Sequence, residues 1–303
     1  DEPKDPETPH FIPAYSQKVK ASKEFQTFQF DHSFVLNSLK SSMEGYVFHN
    51  QPLDTDDLLE QTVKLFNSCK TSLELFDMLH NMRAYDDSTY AHSLNVALIC
   101  RRIGKWLKVD AATLDTLTLC GLLHDIGKLK IPDEILNKPG KYTDEEFDLV
   151  KRHTKFGYEL LKPLNIDPHI KKAALLHHER CDGSGYPLKA TQKDLDDFSM
   201  VVAIADVYDA MTAARSYRAP LCPFQVIERF EQEGLQKYKP KFILTFLQHI
   251  ASTYQNNRVL LSNGQSANIV MLNQQHLARP IVQLNDNSCI DLSTRLDLHI
   301  QSI

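Results

Sequence analysis

Five histidines and two aspartates carry the chemistry legible in this sequence: His92, His124, Asp125, His153, His177, His178 and Asp206. They recur at steps of 32, 28, 24 and 28 residues, from His92 to His124, Asp125 to His153, His153 to His177 and His178 to Asp206. Each step is about one helix plus one connection, so successive helices would each supply a group to one interior. A single imidazole on an inward face is ordinarily a satisfied core residue. Seven polar groups on consecutive core faces are costly unless paired or bound to metal, and a metal centre satisfies them together. Neutral imidazole with carboxylate suits Fe, Mn, Zn or Ni better than Ca or Mg. Cysteine is absent near most of these positions, which argues against a structural thiolate zinc site.

The elements that must position these groups read as helix after helix over residues 88–247. After His92, Val96, Ile99, Ile103 and Trp106 recur at three- and four-residue steps. Asp110 suits the N-cap of the next helix, on which Leu114, Leu117, Gly121 and His124 share a face. Thr143 with Glu146 three residues on is a capping-box signature, and Val150, His153, Gly157 and Leu160 align behind it on one helix. Two further helices are expected over residues 168–178 and 198–214. Upstream, Leu58, Val63, Leu65 and Phe66, then Leu73, Leu75, Phe76 and Leu79, are spaced for helices packing on a core. Residues 14–50 show no assignable pattern. Residues 1–13 hold Pro3, Pro6, Pro9 and Pro13 among charges, as an arm or linker does. At the other end, RVLL and SANIVML flank Asn263-Gly264, a favoured hairpin turn, and PIVQL and CIDL follow. The expected fold is therefore mainly α with a small antiparallel β appendage. The expected divisions are 1–53, a helical unit over 54–250 and a β-rich extension over 251–303.

Composition narrows the classes. Of 303 residues 42% are hydrophobic and 24% charged, which suits a sizeable core and rules out a wholly disordered chain. The longest apolar run, residues 200–214, is interrupted by Asp206 and Asp209, so no membrane span is expected. A net charge of −5 argues against a polymeric nucleic-acid partner but leaves room for a small anion at a locally positive site. The six cysteines are scattered with no C-x-x-C pair, and the opening DEPKDPETPH lacks a basic-then-apolar signal pattern. Both suit a reducing cytoplasm. The first residue is Asp rather than Met, as in a truncated or processed chain.

At this point the sequence resembles a known family. His124-Asp125-Ile126-Gly127-Lys128 is similar to the HD-x-G-K signature of the HD metal-dependent phosphohydrolases. The segment from His177-His178-Glu179 through Arg180, Asp182, Gly183, Gly185, Tyr186 and Pro187 resembles the HHE-x-x-DG-x-GYP segment of the HD-GYP subgroup. Residues 204–212 with Arg215 and Arg218 resemble that subgroup's closing helix. The resemblance covers about residues 80–250. It implies a helical HD fold whose metal centre hydrolyses cyclic di-GMP in bacterial signalling. His92, His124, Asp125 and Asp206 would hold a first divalent ion. Asp125 would bridge to a second, held by His153, His177 and His178. Iron or manganese is implied first, with zinc and nickel as alternatives. Trimetal members carry a Glu four residues before the first His. Ser88 stands there in this chain, which implies two metals and leaves open whether pGpG is cut on to GMP.

The chemistry so implied is in-line attack by a metal-bridging hydroxide, with Asp125 and Lys128 as catalytic groups. Lys128 would meet the substrate phosphate. Screening confines distant surface charges to about 10 Å, so the local field at the metals outweighs the net charge. Arg180, Asp182, Gly185, Tyr186, Pro187, Asp209, Arg215 and Arg218 are the remaining candidates for substrate contact. Tyr186 would stack on a guanine. Arg215 and Arg218 would clamp phosphate or guanine, or else form a solvated helix face. Asp209 would orient a ligand histidine or accept from guanine. The GYP stretch also reads simply as a helix-ending turn. Two other functions fit the same residues: a low-turnover receptor or scaffold for a cyclic dinucleotide, and an HD phosphohydrolase for another nucleotide such as cyclic GMP-AMP. The resemblance admits a signalling-protein partner at the GYP loop and a homodimer.

Overall fold

Short apolar stripes, each begun by a capping side chain, build a helical bundle with a β-sheet at its C-terminal end. The computed structural model describes residues 15–82, 88–138, 140–213 and 220–303. The proline-rich arm over 1–13, Arg215 and Arg218 lie outside the described residues. The helices are α1 (Tyr15–Lys20), α2 (Lys23–His49), α3 (Thr55–Ser68), α4 (Ser72–Met82), α5 (Thr89–Trp106) and α6 (Ala111–Leu123). A 3-10 turn (Ile126–Lys130) and α7 (Asp133–Leu136) lead to α8 (Asp144–Lys151), α9 (His153–Leu161) and α10 (Pro168–Leu176). Helices α11 (Asp197–Thr212), α12 (Pro223–Glu233) and α13 (Pro240–Thr253) follow.

The caps fall where residue type demands. Asp110 accepts from Thr113 N at 3.0 Å, and Asp167 accepts from His169 N at 2.8 Å with Pro168 in the first turn. Thr143 and Glu146 form the reciprocal box, at 3.2 and 2.8 Å. Each such cap contributes about 1 kcal/mol. Helices α5, α6, α10 and α11 pack on one another. Leu94, Ile99 and Ile103 of α5, Leu122 and Leu123 of α6, and Val202 and Ile204 of α11 are all fully buried.

Two features of the helical part differ from the sequence reading. Residues 14–50 are dominated by one long helix, α2, which buries Phe25, Phe28, Val35, Leu36, Leu39 and Met43. The single helix expected through Val150 and Leu160 is divided at Arg152. Arg152 N turns to Leu149 O, and Val150 O accepts from the His153 ring. The imidazole thereby occupies a carbonyl at the helix end, and α9 starts afresh at His153.

The C-terminal sheet comprises β1 (Arg258–Leu261), β2 (Ser266–Met271), β3 (Ile281–Leu284), β4 (Cys289–Asp291) and β5 (Ile300–Ser302). All pairs are antiparallel, in the order β4-β3-β2-β1-β5. Val259, Leu261, Ala267, Ile269 and Val282 alternate onto the buried face. The sheet is tied to α12, where Arg279 pairs with Glu228 at 2.7 Å and Leu277 N donates to Glu231 at 2.9 Å. The sequence reading expected the Asn263-Gly264 hairpin and the β3 and β4 runs, but not β5. All six cysteines are free. Among the described residues no helix is long and apolar enough to cross a membrane.

Candidate metal centre

Helix ends, rather than helix middles, deliver most of the candidate ligands. His124 and His177 close α6 and α10, and His153 opens α9. The last four carbonyls of a helix lack intrahelical N–H partners. Each of the three rings bonds a carbonyl in such a last turn, and two of these, Val150 O and Ala173 O, also accept a backbone N–H. His124 Nδ1 donates to Gly121 O (2.7 Å), His153 Nδ1 to Val150 O (2.6 Å) and His177 Nδ1 to Ala173 O (2.9 Å). His92, in the first turn of α5, is held by Asp209 of α11, with Nδ1 2.8 Å from Oδ2.

A carbonyl only accepts, so the three Nδ1 atoms carry the protons. An Nε2 that carries no proton then turns its lone pair inward. They converge on Asp125. His124 Nε2 is 3.2 Å from Oδ2, while His153 and His177 Nε2 are 3.3 and 3.6 Å from Oδ1. The Nε2 atoms of His153 and His177 are themselves 3.3 Å apart. Lone pairs facing one another and a carboxylate repel unless a cation or proton lies among them. His124 Nε2 and Asp125 Oδ1 are buried with no hydrogen-bond partner. Two sets of ligand atoms lie within 4.8 Å of one another: Asp125, His153, His177 and His178, and His92, His124 and Asp125. Asp125 belongs to both sets. Asp206 lies 3.0 Å from His92 Nε2 and 3.7 Å from His178 Nδ1. This donor set, with its partnerless buried atoms, fits divalent cations.

The protonation of His153, His177 and His178 agrees with that fit, whereas His92 holds its proton between two carboxylates until an ion displaces it. Burial pushes His153 down to about 3 and lowers His177. Burial, reinforced by His177, takes His178 well below the ordinary imidazole range. Burial alone would also lower His92, but hydrogen bonds with Asp206 and Asp209 outweigh it and bring the ring up to about 9. Burial would raise Asp125, yet His124 and Lys128 hold it well below the carboxylate range. For Asp206 the same opposing effect of burial is overcome by His92 and His178.

The other candidates are placed as follows. Lys128 puts Nζ 2.5 Å from Asp125 Oδ2, at the carboxylate common to both ligand sets. Asp209 holds His92. Ser88 caps α5, accepting from Ala91 N at 3.2 Å. Arg180 turns back on the carbonyls of His177 (3.2 Å) and Glu179 (2.8 Å) and lies over the Tyr238 ring. Asp182 shapes the loop, accepting from Ser184 N at 2.9 Å. Gly185 presses against the backbone of residues 178–180, the Tyr186 ring stacks on His178 at 4.7 Å, and Pro187 follows it in the loop. Sequence reasoning gave no role to Glu179, which is fully buried and accepts from Leu188 N and Ala190 N at 2.6 and 3.0 Å. A carboxylate directly after two candidate-ligand histidines was its available signal. It also missed the three anchoring carbonyls, which no side chain announces, although ligand histidines at helix ends point to them.

Comparisons with known proteins place the chain. The HD domain family matches residues 57–242. A 3'3'-cGAMP-specific phosphodiesterase of Vibrio cholerae is 34% identical over 59% of this chain and 35% of its own length. A cyclic di-GMP phosphodiesterase of Pseudomonas aeruginosa is 32% identical over 68% of this chain and 50% of its own. A cyclic di-GMP phosphodiesterase of Thermotoga maritima is 35% identical over 58% and 48%. The chain thus spans half or less of the length of these relatives. Among solved structures, an HDG"Y"P protein of Bdellovibrio bacteriovorus matches with a TM-score of 0.59 and 18% identity, over 77% of this chain and 74% of that one, and shares the fold. By the family match over most of its helical part, and by its HD and GYP segments, the chain belongs to the HD domain family, in its HD-GYP branch.

Proposed function

We propose that this chain is a metal-dependent phosphodiesterase that opens a cyclic dinucleotide, cyclic di-GMP first, to linear pGpG. The observation that carries the reading is the set of inward Nε2 lone pairs around Asp125 Oδ1, a buried oxygen with no hydrogen-bond partner. The names of the relatives supply the substrate class. His92, His124, Asp125 and Asp206 would hold one divalent ion, and Asp125, His153, His177 and His178 a second, with iron or manganese the metals of choice. Bound there, such ions acidify water and polarise phosphoryl oxygens.

The remaining work falls to the chain's own groups. Carbonyl anchors on Nδ1 fix His124, His153 and His177 in the ligating tautomer before any ion arrives, and Asp209 orients the His92 ring. Lys128 keeps an ammonium beside the shared carboxylate, where it stabilises negative charge gathering on a phosphate. Tyr186 covers His178 by stacking on its ring. Arg215 and Arg218, beyond α11, are assigned to phosphate or guanine. Ser88 offers no carboxylate for a third ion, so the site is assigned two ions. The catalytic unit is assigned to residues 54–250, preceded by 1–53 and followed by the extension over 251–303.

The test is reconstitution of the full chain with Fe(II) or Mn(II), incubation with cyclic di-GMP and 3'3'-cGAMP, and separation of the products by chromatography. Accumulating pGpG is expected, with Asp125→Ala abolishing turnover and lowering bound metal. Tight binding without product would make the chain a receptor instead. Faster cleavage of 3'3'-cGAMP, the activity named for the Vibrio relative, would move the substrate assignment. Full activity in Asp125→Ala with unchanged metal would refute the site.

A further inference from the structure

His178 is held differently from the other four imidazoles. Each of those has Nδ1 bonded to a carbonyl or carboxylate within 2.9 Å. The nearest acidic group to His178 is Asp206 Oδ2, 3.7 Å from Nδ1 and beyond hydrogen-bond reach. Rings hold it instead. Tyr186 stacks on it with centroids 4.7 Å apart and planes 28° apart, His177 approaches to 4.2 Å, and His153 meets it edge-on at 5.1 Å. Of these three, Tyr186 alone is not itself a candidate ligand.

Tyr186 is in turn fixed by its loop. Its N–H donates to His178 O at 3.3 Å. Gly185 lets the loop lie flat on the ligand segment, since a Cβ there would stand 2.4 Å from Glu179 Cα and 2.5 Å from His178 O. Beyond Pro187 both carboxylate oxygens of Glu179 are engaged, Oε1 by Leu188 N at 2.6 Å and Oε2 by Ala190 N at 3.0 Å. Glu179 is fully buried and adjoins His178 in sequence. Backbone N–H bonds to a carboxylate are among the stronger hydrogen bonds, and together these two pin the far limb of the loop.

We propose that Glu179 is a positioning residue for the metal centre. It clamps the Gly-Tyr-Pro loop so that the Tyr186 ring sets the plane of His178, doing by stacking what a hydrogen bond does for the other rings. This rests on the reading of His178 as a metal ligand.

The experiment titrates ion retention by the full chain against a chelator of known affinity, for the unmodified protein and for Glu179→Gln, Tyr186→Leu and Tyr186→Phe. Glutamine cannot accept from both N–H groups, and leucine has no ring to stack. Both variants should bind one ion roughly 10- to 100-fold more weakly, as loss of an outer partner does elsewhere. Tyr186→Phe, which keeps the ring, should match the unmodified chain. If Glu179→Gln fails to fold, Tyr186→Leu decides, because its backbone bond to His178 survives the substitution. A drop in melting temperature with unchanged ion affinity would mark the clamp as merely structural and overturn the proposal, as would weakened binding in Tyr186→Phe. Should the unmodified chain bind ions but leave cyclic dinucleotides intact, the proposed function falls and this inference stands.

Discussion

Burial decides which groups at the centre carry protons. The folded chain keeps His153 neutral down to about pH 3, and lowers His177 and His178 as well. The unfolded chain protonates the same rings near 6.5. Below that pH the unfolded state binds more protons, so the metal-free fold loses stability as pH falls. At pH 5 His153 alone accounts for about 2 kcal/mol of the loss, at 1.4 kcal/mol per pH unit. His92, raised to about 9, has the opposite sign: its contribution is complete below 6.5 and is lost as pH rises through 9. Asp125 and Asp206, held well below the carboxylate range, contribute until strong acid. The chelated protein should therefore melt at a lower temperature at pH 5 than at pH 7, and His153→Gln should flatten that difference. Equal melting temperatures at the two values would contradict the neutral-ring assignment.

Among the elements, the 3-10 turn that carries Lys128 presses directly on α9. A Cβ on Gly127 would lie 1.9 Å from His153 O and 2.4 Å from Gly157 N. Both are backbone atoms, so neither can swing aside. Gly127→Ala should cost about 1–3 kcal/mol in urea unfolding, the range for overpacked cores, and should reduce ion retention by separating Asp125 from His153. Unaltered stability would show that the two elements give way freely. Among the described residues, helix α2 reaches the elements that carry the candidate ligands through side-chain hydrogen bonds at three points. His32 Nε2 lies 3.2 Å from Asn95 Oδ1, Tyr90 donates to Glu44 at 2.9 Å, and Tyr46 donates to Leu160 O at 2.5 Å. Tyr46→Phe removes one of them and should destabilise the fold by about 0.5–1.5 kcal/mol. A change within error would show that the Tyr46 bond adds nothing net to the hold of α2.

For the molecule as a whole, ions that bind only the folded state add to its stability. At a hundredfold excess over Kd the gain is about 2.7 kcal/mol, so chelation should lower the melting temperature of the loaded chain by a few degrees. Elemental analysis should find two ions per chain. A third would show that another ligand or water replaces the carboxylate missing at Ser88. A chelated protein that melted like the loaded one would imply ions held weakly or not at all.

Local physics was legible in the residues alone. Caps at Asp110 and Thr143, the stripes of α5 and α6, the Asn263-Gly264 hairpin and the order of the five imidazoles and two carboxylates all depend on near neighbours in the chain. Helix α2 was not legible, because Phe30 and Phe34, 74% and 61% exposed, blur a stripe that becomes visible once its partners are known. Strand β5 is three residues long and pairs with β1 across some forty residues, a contact no local pattern announces. The same holds inside the site. The tautomers of His124, His153 and His177 are set by backbone carbonyls, the plane of His178 by a ring on another loop, and the freedom of Gly127 by a neighbouring helix. Residue type states what a group is able to do. Which groups meet, and with which nitrogen turned inward, depends on contacts between distant segments, and those exist only once the chain has folded.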